Sequence, residues 1–247
     1  MRSERLSRII AIALVAGTAL LIVWVAAERF SRRGVPHVDI DRSEYPVVGI
    51  DLSAHNGKVD FDSIRRSGVD FVFLKASEGV SLQDPRFYSN YVAARRAGLA
   101  VGAYHFFRFD CDGRRQAMNL MRVIRSVSID LPVAIDVEEW SNPAEIPTDI
   151  IVARLQAMSD HLEANGHPTM FYTNKNGVGR FLRDNFDDRP LWICSFTDPP
   201  LSHRDWLFWQ HSHCGRIAGV KGDVDMNTFN GSHRALNQYI DSLRLSR

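Results

Sequence analysis

Leu131-Pro132-Val133-Ala134-Ile135-Asp136-Val137-Glu138 is the stretch from which the fold is read. Its apolar residues run without polar alternation, as in a strand covered on both faces in a helix-flanked parallel sheet. Two carboxylates close it at positions i and i+2. In an extended chain such residues project to one side, with Cα atoms roughly 7 Å apart, so Asp136 and Glu138 share one pocket. Other short apolar runs end in the same manner. Residues 47–50 lead into Asp51, 71–74 into Lys75 and Glu78, 100–104 end at Tyr104 before His105, and 169–172 end at Tyr172. Polar and aromatic residues therefore gather at the carboxyl ends of the strands, the rim where parallel barrels bind and convert substrate.

Helical patterns fill the intervals. Helices are predicted over 61–66, 85–97, 114–127, 148–165 and 177–182, with glycine closing several of them at Gly68, Gly98 and Gly166. The pattern then changes, and 191–194, 206–210 and 216–220 read as strands without long helices between them. The fold class is α/β: a modified TIM-like barrel of five β/α units followed by about three β-strands, preceded by one N-terminal transmembrane helix. An open doubly wound sheet is the competing arrangement, but the first strand is not followed by a glycine-rich phosphate fingerprint.

The chain has 247 residues, 24% of them charged and 45% hydrophobic, as expected of a folded protein. Its 30 basic residues nearly balance its 29 acidic ones, yet six of the former and only Glu4 and Glu28 of the latter fall in residues 1–33. The remainder carries an acidic excess, which gives no footing for nucleic acid. Residues 9–27 form an uncharged, mostly apolar run of nineteen, about 28 Å as a helix and close to a hydrocarbon core. A cleaved secretory signal competes, but its apolar region is usually only about 7–15 residues long. The expected organisation is a short cytoplasmic arm (1–8), a membrane anchor (9–27), a linker (28–45) and a barrel domain (46–247). That domain would be periplasmic or extracytoplasmic on the inner membrane, or secreted if the segment is cleaved. Cys111, Cys194 and Cys214 match no metal spacing; Cys194 and Cys214 could bridge in an oxidising compartment, or all three could be separate thiols.

Two carboxylates in a partly dry site disfavour double ionisation, leaving a proton donor beside an anion, the pair that glycoside hydrolysis uses. Asp51 is expected to face them. Tyr104, Phe106, Tyr172, Trp192 and Trp209 could line a groove that stacks sugar rings; core filling is the alternative for each, and it is the expectation for Trp209. His211 and His213 stand at i, i+2 but lack a third ligand at a known spacing, and His105 reads as a hydrogen-bonded strand-end residue. Gly-x-Ser-x-Gly is absent, which argues against an esterase.

Taken together, Gly49-Ile50-Asp51-Leu52-Ser53, Leu74-Lys75-Ala76-Ser77-Glu78-Gly79, Gly102-Ala103-Tyr104-His105-Phe106, Ile135-Asp136-Val137-Glu138, Phe171-Tyr172-Thr173 and Val224-Asp225-Met226-Asn227-Thr228-Phe229 resemble, in this order, glycoside hydrolase family 25, the Chalaropsis-type lysozymes. The resemblance spans residues 47–232. It implies a muramidase that cleaves the β-1,4 bond between N-acetylmuramic acid and N-acetylglucosamine in peptidoglycan, without metal or cofactor. By motif, Glu138 would be the general acid, and Asp136 either the nucleophile or the group that orients the substrate's own N-acetyl arm. Asp51 and Asp225 match the other acidic cleft positions, and Tyr104 and Tyr172 the substrate-contacting aromatics; Glu78 and Trp192 are further candidates for binding. Asn56 stands where the family often has Gln, one methylene longer. The expected partners are peptidoglycan strands and the inner membrane, with the protein a monomer. A sugar-binding scaffold without turnover and a hydrolase of another polysaccharide are the alternatives.

Overall fold

The computed structural model describes residues 17–18, 37–197, 200 and 205–245. The expected arm and anchor, and the linker up to residue 36, lie outside these residues apart from Gly17 and Thr18. Among the described residues no helix is long and apolar enough to cross a membrane.

Among the described residues nine strands form one sheet: β1 (Val48–Leu52), β2 (Phe71–Glu78), β3 (Leu82–Gln83), β4 (Ala100–Phe106), β5 (Val133–Asp136), β6 (Thr169–Asn174), β7 (Leu191–Cys194), β8 (Phe208–Gly215) and β9 (Val224–Phe229). Strand β3 only extends β2 as a short hairpin; the other eight close into a barrel through the β1–β2 pairing. From β1 and β2 through β4 to β8 the neighbours run parallel, whereas β9 is antiparallel to both β8 and β1. The helices are α1 (Phe61–Arg66), α2 (Phe87–Arg96), α3 (Gly113–Ile124), α4 (Thr148–Glu163) and α5 (His233–Leu245), with a short Lys175–Gly177 turn running into a π-helical turn at Val178–Leu182.

Two apolar layers follow from the alternation along each strand. Val72, Leu74, Val101 and Ile135 face the helices, while Phe71, Phe73, Met170, Trp192, Phe208 and Phe229 fill the barrel. A barrel of eight strands is just wide enough to be packed with side chains. The β2 phenylalanines fit only because their neighbours are small: a Cβ on Gly49 would lie 2.1 Å from the Phe71 ring, and one on Gly102 2.2 Å from that of Phe73. Leu236 and Ile240 of α5 close the barrel at the end where β1 begins, joining the Val47 and Phe229 cluster.

Two departures from the sequence reading have physical causes. Residues 216–220 are not a strand. Gly219 and Gly222, at φ 98° and 88°, turn the chain there, and Asp60 donates its amide to the Gly219 carbonyl at 2.9 Å. The last strand is instead β9, and α5 follows it, a helix the expected pattern lacks. Residues 37–45, assigned to the linker, lie against the barrel. His37 bridges Ser212, the Val38 amide donates to His211 O at 2.9 Å, and Tyr45 sits 5.7 Å from Trp206 and 5.9 Å from Trp209 between ring centroids.

Candidate active site

A cleft of about 790 Å³ opens at the carboxyl end of the parallel strands. Asp51, Tyr104, Phe106, Asp136, Glu138, Tyr172, Trp192 and Asp225 all line it. Strand ends supply several of them, while Tyr172 and Trp192 come from within β6 and β7. Asp136 is the last residue of β5, with Glu138 two positions on; Phe106 ends β4, with Tyr104 two positions before it. Asp225 reaches the same rim because β9 runs the other way, so its second residue pairs directly across from Asp51.

Glu78 is the exception among the expected residues. It does not line the cleft: its Oε2 accepts from Lys75 Nζ at 2.8 Å, and Arg108 lies 4.0 Å from Oε1. Lys75 takes the cleft position, its Nζ 5.3 Å from the centre of the Phe106 ring.

One hydrogen-bond chain fixes the Asp51 side of the cleft. Tyr172 donates to Gln210 Oε1 at 2.8 Å, and Gln210 Nε2 donates to Asp51 Oδ2 at 2.9 Å. Asn227 Nδ2 donates to the same oxygen at 2.8 Å, while its Oδ1 accepts from Trp192 Nε1 at 2.8 Å. Gln210 and Asn227 were not singled out from sequence. Gln210 was nonetheless visible by the rule that found Asp51, since it is the polar residue ending an apolar run.

Burial dominates the electrostatics. It pushes the Glu138 carboxyl up to about 7, with Asp51 adding to the effect. Asp225 is pushed up to about 9, first by burial and then by the neighbouring Asp51. Asp51 is itself raised by burial, against the pull of its Asn227, Gln210 and Asp225 hydrogen bonds. Burial and then Glu138 raise Asp136 well above the ordinary range, opposed by the Lys75 ammonium. Asp136 Oδ1 is buried without a hydrogen-bond partner. A buried acceptor left open is costly, which marks it as a place for a ligand's donor.

The remaining polar residues have other uses. His105 is buried between Ser77 Oγ (2.8 Å) and Gln116 Oε1 (3.1 Å), and burial lowers its pKa to about 4. His211 Nδ1 donates to Val38 O at 2.9 Å. Among the described residues no His, Cys, Asp and Glu side chains are gathered as metal ligands would be. The three cysteines are free, so the Cys194–Cys214 bridge does not form; Cys194 lines the cleft with its thiol pushed up to about 12 by burial. Trp209 is core, its Nε1 donating to Ser195 O at 2.7 Å.

A closed β/α barrel with an aromatic-walled cleft that keeps carboxyl protons near neutral pH is the equipment of a glycoside hydrolase. Residues 50–220 match the model of glycosyl hydrolases family 25, and the chain belongs to that family. It is 35% identical to an N,O-diacetylmuramidase of Chalaropsis sp. over 221 residues, 80% of this chain and 97% of that one. It is 29% identical to the Escherichia coli K12 protein YegX over 209 residues, 82% of this chain and 76% of the other. Among solved structures, a family 25 glycosyl hydrolase from Bacillus anthracis superposes with a TM-score of 0.76 at 30% identity, covering 83% of this chain and 98% of that one.

Proposed function

We propose that this glycoside hydrolase is a lysozyme-type N-acetylmuramidase, acting on the β-1,4 bond between N-acetylmuramic acid and N-acetylglucosamine of peptidoglycan. The observation that carries the mechanism is the open, buried Oδ1 of Asp136 in the same cleft as Glu138. The Chalaropsis relative supports the substrate.

Glu138, still protonated near neutral pH, gives its proton to the glycosidic oxygen as the C–O bond breaks. Asp136 Oδ1 accepts the N–H of the substrate's 2-acetamido group and turns that group's carbonyl oxygen toward the anomeric carbon. The carbonyl oxygen forms a bond there as the leaving sugar departs. Water then attacks the anomeric carbon, its proton returns to Glu138, and the ring formed through the acetamido oxygen reopens. Direct attack by Asp136 is the second reading; the unpartnered acceptor favours the first, because an N–H is what it lacks. Asp51 and Asp225, paired across β1 and β9, hold the charge of the cleft, and Tyr104, Tyr172 and Trp192 contact the sugars. Glu78 acts at one remove, by holding Lys75.

Residues 9–27 anchor the protein in the inner membrane, with the barrel extracytoplasmic; the nineteen-residue apolar run supports the anchor. Mass spectrometry of fragments released from purified peptidoglycan tests the activity. Muramic acid at the new reducing ends is the expected result. Glucosamine ends would overturn the bond assignment, and no release would leave a binding protein.

A further inference from the structure

The turn that follows Glu138 displays a tryptophan in a way that core packing does not explain. Trp140 is 76% exposed, yet it borders the cleft and meets Phe106 edge-on, with centroids 6.3 Å apart and planes at 86°. Its neighbour Ser141 sits at φ 62°, in the left-handed region that disfavours a residue with a Cβ. Five side-chain contacts hold this conformation. Asn142 Oδ1 accepts from the Phe109 amide at 2.9 Å, and its Nδ2 donates to Phe107 O at 2.9 Å and to Glu138 O at 2.8 Å. The Arg108 guanidinium donates to Ser141 O, and Glu139 pairs with Arg180. Arg108 is fixed in turn by Gln116, which accepts from its amide at 2.9 Å and donates to its carbonyl at 3.0 Å. An exposed indole and a strained backbone each cost stability, and both persist because their surroundings over-determine them. The outcome is an aromatic face preorganised over one end of the cleft.

We propose that Trp140, supported by Phe106, is the stacking platform for the sugar on the leaving-group side of the cleaved bond, and so a specificity-determining residue for polymeric strands. The side follows from the barrel order. Trp140 and Phe106 stand over β4 and β5, beside the proton donor Glu138, whereas the buried aromatics Tyr172 and Trp192 belong to β6 and β7. The ligand is the apolar C–H face of a β-1,4-linked N-acetylhexosamine, set parallel to the indole. This inference rests on the reading of Glu138 as general acid.

The test is steady-state kinetics of the full chain on soluble, uncrosslinked peptidoglycan glycan strands, comparing wild type, Trp140→Ala and Trp140→Phe. Trp140→Ala should raise KM about five- to tenfold, the worth of one aromatic contact, with kcat within about twofold. Trp140→Phe should recover most of the loss, and Tm should not fall in either variant. An unchanged KM would overturn the platform, as would a collapse of kcat together with a fall in Tm, which would make the indole structural. Titrating the same strands into Glu138→Gln with and without Trp140→Ala separates the two layers. Weaker binding without Trp140, in a protein whose wild type releases nothing, supports the platform and sinks the acid assignment. Equal binding sinks the platform alone.

Discussion

Glu138 titrates in the folded protein near pH 7 rather than at its ordinary 4.5. A general acid must hold its proton, so kcat/KM should fall about tenfold per unit as pH rises beyond about 7, as a pH–rate profile would record. The same shift has a stability consequence. Below pH 4.5 the group is protonated in both folded and unfolded chains; between 4.5 and 7 only the folded chain keeps the proton, so stability is lost as pH rises through that window. Glu138→Gln should therefore abolish turnover yet melt several degrees higher than wild type at pH 8, with the difference vanishing near pH 4 by thermal scanning. Lys75 pulls Asp136 in the opposite direction to burial. Lys75→Met should raise the Asp136 carboxyl further and shift the pH–rate profile to higher pH; an unmoved profile would remove Lys75 from the electrostatics. Asp51, Asp136 and Glu138 were legible from the strand pattern, because each is a charged residue closing an apolar run; Asp225 was legible only through the resemblance, since the pattern put the last strand at 216–220, short of β9. Trp140 was not, since an exposed tryptophan in a turn has no periodicity to depart from.

The β5–α4 connection is a loop held by side-chain hydrogen bonds rather than by a strand ladder. Asn142 makes three of its four possible hydrogen bonds there, tying Glu138 to the chain beyond β4. Asn142→Ala should cost about 2 kcal/mol by denaturant unfolding and lower kcat by about tenfold, through a proton donor no longer fixed over the bond. A change in stability with kcat untouched would separate the turn from catalysis. Strand and helix placement followed from hydrophobic period and glycine stops, which is why β7 and α1 appear where expected and β2 begins where expected, although it runs on to Glu78. The error at 216–220 shows the limit. Arg216 to Val220 has strand-like residues, but Gly219 and Gly222 need positive φ, and period alone cannot register that conformation. The antiparallel sense of β9 was equally hidden, being set by its partners β8 and β1 rather than by its own composition.

The barrel is asymmetric from end to end: cleft residues and open acceptor at one rim, an apolar helix over the other. If the apolar run is the anchor, removing residues 1–33 should shift the protein from the membrane to the soluble fraction. Its kcat on soluble strands should be unchanged, as fractionation and kinetics together would show. Tethering would then act by local concentration rather than by chemistry. The helix α5 was missing from the sequence reading, although Leu236, Ile240 and Leu243 fall on one stripe at helical spacing between charged positions. That stripe plugs the barrel on the face opposite the cleft. The geometry makes the far end of α5 a practical point for attachment: a reporter, an affinity handle or a solid support joined beyond residue 245 would stand clear of incoming glycan.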